Sequence, residues 1–204
     1  MDSALNKLFA AVENYDIKTA RLLIREGECL KDPEFRTCAF FYDFTDLDMI
    51  RLLAEAGADI NAINDVGEWA LRNAAWEGEA EAVAYLLSEG AKPNLTSTGE
   101  TAIHMGVCSD KIEVVRLLLE AGANINATDV DGWTCLWWLK STPMATFLLN
   151  HGADPAFSDW DIEGFPQHLP ENHESIPEAV GDLLRAHRLK SSGLKDSVPT
   201  PPEV

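Results

Sequence analysis

The sequence predicts an all-α solenoid of stacked helix-turn-helix units, with capping helices at both ends. Two interleaved ladders of glycines and a repeated amphipathic helix predict this architecture. The first ladder comprises Gly27, Gly57, Gly90, Gly122 and Gly152. The second comprises Gly67, Gly99, Gly132 and Gly164, at spacings of 32, 33 and 32 residues. A fixed period of this length indicates one supersecondary unit that is copied along the chain and packs only against its neighbours.

The ladders divide the chain into an N-terminal helix pair, four full units and a degenerate last unit. The pair spans about residues 4–28, the full units about 32–64, 65–97, 98–129 and 130–161, and the last unit about 162–190. We therefore expect a single domain over residues 1–190, with five to six units of which the first and last are degenerate. The tail at 191–204 is poor in apolar residues, and we expect it to be disordered.

The second helix of each unit is clearest in DKIEVVRLLLEAG, residues 110–122. Ile112, Val115 and Leu118 recur at helical spacing, so they share one face, which we expect to be buried. Gly122 follows the last turn, where glycine adopts a left-handed backbone without steric penalty and ends the helix. The glycines of the second ladder mark tight turns that lead into the next first helix.

The starts of three second helices predict a capping arrangement, in which a side chain accepts hydrogen bonds from first-turn amides. The pairs are Asp110 with Glu113, Thr45 with Asp48, and Gly78 with Glu81. In the last unit, Ser175 is a candidate cap and Pro177 lies near the helix start, where a missing amide costs little. We expect this last helix to be a terminal cap with a polar outer face.

Both ladders occur in segments that resemble ankyrin repeats. The family pattern, Gly-x-Thr-Pro-Leu-His-x-Ala-Ala followed by Leu-Leu-x-x-Gly-Ala-Asp-x-Asn-Ala, is similar to GETAIHMGV (99–107) with LLEAGANINA (118–127). GEWALRNAA and GWTCLWWLK are further copies of the first half. The resemblance covers about residues 4–164. Proline is absent from every copy, and the motif histidine occurs only as His104, with Arg72 and Trp137 in its place elsewhere.

The charge balance is strongly acidic, with a net charge of −18. Residues 37–184 contain 25 Asp/Glu and 6 Lys/Arg, a net of −19. Such a field repels nucleic-acid phosphates and anionic membranes, and it favours encounter with a basic protein surface. Solubility alone is the alternative explanation. No apolar run approaches the ~20 residues needed to cross a bilayer.

The cysteines favour an intracellular protein. Cys29, Cys38, Cys108 and Cys135 are scattered without a Cys-x-x-Cys pair, so we expect reduced thiols and a cytoplasmic location. Two Asn-x-Thr triplets, at 94–96 and 126–128, match the glycosylation acceptor pattern, which inside a cell has no such role.

No catalytic, metal-binding or cofactor-binding motif is recognisable, and the sequence predicts that the protein is not an enzyme. His104 and Cys108 are spaced at i and i+4, so a Cys/His nucleophile pair is conceivable. In ankyrin-like repeats, however, the resemblance implies that this histidine ties the turn to its helix. The segment HLPENH, residues 168–173, contains two histidines, but Pro170 breaks the helix that would align them as metal ligands.

All six tryptophans fall in the turns or first helices of their units, which in ankyrin-like proteins line the concave side. Acidic residues lie between them, a combination that suits a partner presenting Arg and Lys. For Trp69, as for Trp137, burial at a motif position is the alternative. The predicted partner-binding residues are Phe40, Phe44, Asp65, Glu68, Trp69, Trp76, Glu77, Asp129, Asp131, Trp133, Trp138, Asp159, Trp160 and Asp161.

The sequence therefore predicts a protein-protein interaction module, monomeric when unbound, that binds a basic partner protein through an acidic, aromatic-rich concave face. We expect it to act by occlusion, as an inhibitor or immunity-type protein does. The alternative is an adaptor that bridges two partners through the repeats and the C-terminal tail. Direct nucleic-acid binding and membrane association are disfavoured by the charge.

Overall fold

A computed structural model describes residues 3–32, 35, 46–97, 99–155 and 178–191, and these residues form an all-α solenoid. Within this part of the chain there is no strand, and the helices are connected by short turns. The α-helices are α1 (Ala4–Glu13), α2 (Ile17–Glu26), α3 (Leu47–Glu55), α4 (Ala70–Glu77), α5 (Ala80–Ser88), α6 (Ala102–Cys108), α7 (Ile112–Glu120), α8 (Thr142–Asn150) and α9 (Glu178–Ser191). Two 3₁₀ helices lie at Cys29–Lys31 and Cys135–Trp138.

The helices form two layers. In one layer the first helices α4 and α6 pack side by side, and the Cys135–Trp138 turn continues the row. In the other layer the second helices α2, α3, α5 and α7 pack in the same order. Helix α9 packs against α8 at the C-terminal end, where Val180 and Leu184 are buried. The apolar core lies between the layers and runs through the whole stack.

The glycines end the second helices as predicted. The first-ladder glycines have φ between +77° and +92°, and the described glycines of the second ladder have φ between +82° and +90°. Gly164 lies outside the described residues. A left-handed backbone at these positions costs glycine nothing sterically, so the first ladder explains where the second helices stop and the second ladder explains the turns before the first helices.

The predicted helix starts are wrong in detail. Helix α3 is capped by Asp46, whose carboxylate accepts from the amides of Asp48 and Met49 at 2.9 and 3.3 Å. Thr45 lies outside the described residues. Helix α5 begins after Glu79 without a side-chain cap, because Gly78 instead ends α4 with φ +78°. The predicted pairing of Gly78 with Glu81 therefore does not form.

Asp110 does not cap α7 either. The helix begins after Lys111, and Asp110 adopts φ +54° in the turn that follows α6. Gly78 occupies the corresponding turn of the preceding unit, so a left-handed conformation is imposed by the fold at this position. The Asp110 carboxylate accepts a hydrogen bond from the Ser141 hydroxyl at 2.7 Å, which connects this turn to the next unit.

Asparagines bridge successive units through their loops. The side-chain amide of Asn61 donates to the Gly90 carbonyl at 3.2 Å, and its side-chain oxygen accepts from the Lys92 amide at 2.8 Å. The same two bonds recur at Asn94, with Gly122 and Asn124, and at Asn126, with Gly152 and Asp154. We call Asn61, Asn94 and Asn126 the asparagine rungs.

The first helix of the 130–161 unit is reduced to one 3₁₀ turn, which differs from the predicted α-helix. Ser141, the N-cap of α8, lies only nine positions after Gly132, whereas Lys111, the N-cap of α7, lies twelve positions after Gly99. Three missing residues remove almost one helical turn. Lys140 fills part of the gap, since its Nζ donates to the Cys108 carbonyl at the end of α6, at 2.8 Å.

Candidate protein-binding face

The candidate site is the surface formed by the loops that precede the first helices and by the first helices themselves. Two of these loops, at 64–68 and 129–133, are hairpin-like, and we call them fingers. Helices α4 and α6 and the turn Cys135–Trp138 continue from their bases. The fingers and these helices together are called the first-helix face.

Each finger is closed by one side chain at its base. In the first finger, the backbone amide of Asn64 donates to the Glu68 backbone carbonyl at 2.9 Å, and the side-chain oxygen of Asn64 accepts from the Glu68 backbone amide at 2.7 Å. In the second finger, Asp129 makes the same pair of bonds with Trp133, both at 2.9 Å. The Asp129 carboxylate is therefore committed to shaping the finger. A short polar side chain that bonds the backbone two to four residues ahead is typical of such turns.

Trp69 does not belong to the surface, which corrects the prediction that it contacts a partner. Its side chain is 1% exposed and is among the largest fully buried side chains of the described core. Trp69 is the residue before α4, where the ankyrin pattern has threonine, and an indole there is directed into the stack. The tryptophan contributes apolar burial to the fold and not to recognition.

Trp76 lies on the surface. It is in the last turn of α4 and is 52% exposed, the only described tryptophan that is exposed. Glu77 beside it is exposed as well. An indole presented to water next to a carboxylate offers both an apolar contact and a cation-π surface to a basic side chain.

The tryptophans of the 130–161 unit pack largely on one another. Trp133 stacks on Trp137, with ring centroids 4.1 Å apart and planes inclined by 26°. Trp138 meets the His104 ring edge to face, at 5.3 Å and 83°. Trp137 is buried, whereas the predicted partner-binding residues Trp133 and Trp138 are half-buried. Only part of each indole is available for contact.

The predicted carboxylates divide into two groups. Glu68 lies 3.6 Å from Arg72, which also lies 3.4 Å from Glu100, so that one guanidinium serves two carboxylates between the units. Glu68 and Asp129 thus have internal partners. Asp65 and Asp131 are exposed at the finger tips, and Glu77 is exposed at the end of α4. These three carboxylates are the ones that best suit a basic partner.

His104 has the structural role that the resemblance implies. Its Nδ1 accepts a hydrogen bond from the Thr101 amide at 3.0 Å, and the ring is fully buried. Burial lowers the pKa of His104, although the nearby Asp129 carboxylate and the Trp133 carbonyl act in the opposite direction. The imidazole is therefore held neutral, and it orients the turn before α6.

The thiols of the described region are buried. Cys29, Cys108 and Cys135 form no disulfide, and Cys38 lies outside the described residues. Burial raises the pKa of Cys108 and of Cys135 to about 12. A thiol with this pKa is protonated at neutral pH, which argues against a Cys108 nucleophile activated by His104. The described residues contain no group of three or more potential metal ligands.

Several predicted features lie outside the described residues. Of the partner-binding residues, these are Phe40, Phe44, Asp159, Trp160 and Asp161. The candidate cap Ser175, Pro177, the segment HLPENH and residues 192–204 of the tail also lie outside them. Their proposed roles stay predictions. No helix in the described part of the chain has the length and apolar character that crossing a bilayer requires.

Sequence reasoning overlooked four features of this region. Val66 and Val130 are 74% and 76% exposed at the finger tips, although the aspartates beside them could have marked both as loop residues. The pairing of Glu68 with Arg72 could also have been predicted, because residues four apart lie on the same side of a helix or its first turn. The bond from Lys140 to the end of α6 had no signal in the sequence.

Comparison with known proteins identifies the repeated pattern. A family model described as ankyrin repeats (3 copies) matches residues 38–129 and residues 71–159, which together make up more than half of the chain. The matched region includes both fingers, helices α3 to α8 and all three asparagine rungs.

Three curated proteins illustrate the range of relatives. The chain is 36% identical over 87 residues to RelA-associated inhibitor from Mus musculus, covering 41% of this chain and 11% of that protein. It is 30% identical over 148 residues to BCL-6 corepressor-like protein 1 from Homo sapiens, covering 64% and 8%. It is 36% identical over 153 residues to Putative ankyrin repeat protein FPV031 from Fowlpox virus, covering 68% and 45%. In each case, the chain spans less than half of the relative's length.

Proposed function

This chain belongs to the ankyrin-repeat family and is a protein-protein interaction module, and we propose that its first-helix face binds a partner protein with a basic surface and inhibits it by occlusion. The observation that carries the proposal is the exposed indole of Trp76 beside the exposed carboxylate of Glu77. Aromatic anchors of this kind supply much of the binding energy of protein interfaces.

The charge of the stack supports a basic partner. Residues 46–97 and 99–155 contain 17 Asp/Glu and 6 Lys/Arg, a net of −11. Four of the six cations are already engaged within the protein. Arg72 pairs with Glu68 and Glu100, Arg116 with Glu113 and Glu120, Lys140 with the Cys108 carbonyl, and Arg51 lies 5.1 Å from the Tyr85 ring. Most of the excess negative charge is thus left for a partner to neutralise, which speeds encounter and orients it.

Occlusion is the simplest mode of action for such a surface. The described residues offer a broad face with side-chain anchors, and binding alone would cover the corresponding surface of the partner. One relative is named an inhibitor, but it is matched over only 11% of its length, so its name supports this part of the proposal weakly.

Affinity capture with matched variants tests the proposal. The protein is immobilised and exposed to a lysate of the organism that encodes it, and each captured protein is then purified and its Kd measured. We expect both Trp76→Ala and Glu77→Gln to raise the Kd for the partner, the former by about tenfold or more. Added salt should raise the Kd further. The controls are Leu22→Ala, which removes an exposed apolar side chain from a second helix, and Glu81→Gln, which removes an exposed carboxylate from another. Equal losses in the variants and their controls, or affinity that does not fall with salt, would contradict the proposal.

A further inference from the structure

The two described fingers present the same pair of side-chain types at their tips. Val66 and Val130 are the most exposed large apolar residues of the described chain, at 74% and 76%. Asp65 and Asp131, their neighbours, are exposed carboxylates. A single exposed valine needs no explanation. Two of them in one row, each beside a carboxylate, form a repeated apolar and acidic pattern that we call the finger-tip row.

The fingers of successive units are in contact, which fixes the spacing of the row. The Ser97 hydroxyl, in the intervening loop, donates to the Gly67 carbonyl of the first finger at 2.6 Å. Gly99, in the same loop, lies so close to the second finger that a Cβ there would be 2.4 Å from the Val130 nitrogen. Packed helices lie about 8–10 Å apart, so tips that are two units apart are separated by roughly 16–20 Å.

The finger backbones are already hydrogen-bonded. In the first finger, the amides of Val66 and Gly67 donate to the side-chain and main-chain oxygens of Asn64. In the second, the amides of Asp131 and Gly132 donate to Asp129 in the same way. An added β-strand needs a row of unpaired backbone groups on its host, and these bonds leave no such continuous row of amides at either tip. Recognition here depends on side chains, which suits a ligand whose own backbone is satisfied internally, as in an α-helix.

We propose that the finger-tip row binds an amphipathic α-helix of the partner protein, with apolar residues at positions i and i+11 and Lys or Arg beside each of them. Eleven residues of helix rise about 16 Å and complete about three turns, so the two apolar side chains lie on one face at a separation within the roughly 16–20 Å expected between Val66 and Val130. The flanking cations meet Asp65 and Asp131. The inference rests on the proposed function, because it specifies which part of a basic partner the face receives.

Designed peptides of about 18 residues, helical and rich in Ala and Lys, provide the probe. One peptide has Leu at i and i+11. Its isomer, of identical composition and charge, has the second Leu at i+9, about half a turn away on the opposite face. We expect the full-length protein at low salt to bind the i, i+11 peptide about tenfold more tightly, as measured by fluorescence anisotropy. Equal affinities for the two isomers would overturn the inference, since charge alone would then account for binding.

The double variant Val66→Ser/Val130→Ser tests whether a preference for the i, i+11 peptide arises from the finger-tip row. We expect it to bind both isomers equally, whereas Leu22→Ser, which removes an exposed apolar side chain from α2, should keep the preference. A preference that survives in the double serine variant would also overturn the inference. The proposed function is judged separately: if Trp76→Ala weakens the captured partner while the isomers bind alike, the function is retained and the helix inference fails. If the isomers are distinguished but no captured protein depends on Trp76, the proposed function fails.

Discussion

The backbone amide of Asn124 donates a hydrogen bond to the side-chain oxygen of Asn94 at 2.7 Å, and this bond joins two successive units. The side-chain amide of Asn94 completes the bridge by donating to the Gly122 carbonyl at 2.9 Å. Asn61 and Asn126 make equivalent pairs. From Asn61 onward, one polar side chain per unit therefore connects each helix-ending loop with the next.

We expect Asn94→Ala to lower the free energy of unfolding by about 1–2 kcal/mol, because it removes two hydrogen bonds that each contribute about 0.5–1.5 kcal/mol. Urea denaturation measures the change. Asn150→Ala is the control, since Asn150 is exposed at the end of α8 and is not a rung. A loss of the same size in both variants would show that the rungs contribute nothing specific.

Trp69→Ala should destabilise the protein by about 3–5 kcal/mol, as expected for removal of a large buried aromatic side chain. Trp76→Ala should change stability by no more than about 0.5 kcal/mol, because its indole is half in water. Thermal and urea unfolding of both variants compare the two positions directly. If Trp76→Ala were the more destabilising change, Trp76 would be a core residue and not a surface anchor.

Acidification should destabilise the fold through His104. Its pKa in the folded state lies below the ordinary value because the ring is buried, so the unfolded chain binds the proton first as pH falls. Stability is then lost as pH falls through the ordinary histidine range, around pH 6.5, toward the lower folded value. Asp129 and Glu100 reduce the effect by favouring the protonated ring. His104→Gln should flatten the stability profile between about pH 7.5 and pH 5.5; an unchanged slope would contradict this assignment.

The buried thiols should resist modification until the protein unfolds. In a Cys38→Ser background, only Cys29, Cys108 and Cys135 remain, and burial raises the pKa of all three. A disulfide reagent such as Ellman's reagent at pH 8 should therefore label the native protein no faster than it unfolds, and label it rapidly in urea. Rapid labelling of one native thiol would identify an accessible thiolate that the structure does not contain.

Asp110 has a left-handed backbone conformation, which is unfavourable for a residue other than glycine, and its carboxylate accepts a hydrogen bond from the next unit. At φ +54° glycine is favoured, so Asp110→Gly should be less destabilising than Asp110→Ala by about 1 kcal/mol. Both variants lose the bond from Ser141. Their difference in unfolding free energy measures the backbone contribution, and equal values would indicate that the turn relaxes out of the left-handed region.

Local signals predicted the skeleton of the fold. The glycine ladders specified where helices end, because a left-handed residue is a local requirement that one amino acid satisfies best. The role that the ankyrin resemblance implies for His104 is confirmed, since the Thr101 amide donates to its ring within a single turn. The starts of the helices were harder to predict from the sequence. Asp110 and Lys111 are adjacent, and the choice between them depended on a turn shared with the next unit.

The character of the face could not be predicted residue by residue. Trp69 and Trp76 lie on the same short helix segment, yet one is buried and the other exposed, because burial depends on how neighbouring units stack. Likewise, Trp133 is covered in part by Trp137, an arrangement made possible by the short first helix of its unit. The asparagine period was visible in the sequence, but the partners of the rungs lie 26 to 31 residues away.

In the described part of the stack, the contracted 3₁₀ turn at Cys135–Trp138 follows two full first helices, α4 and α6. At the boundary between this turn and the preceding unit, the Cys108 carbonyl, at the end of α6, accepts a hydrogen bond from the ammonium group of the long, flexible Lys140 side chain. Because the units of a linear array are coupled only through their neighbours, removing the Lys140 ammonium would weaken the coupling between α6 and the C-terminal units.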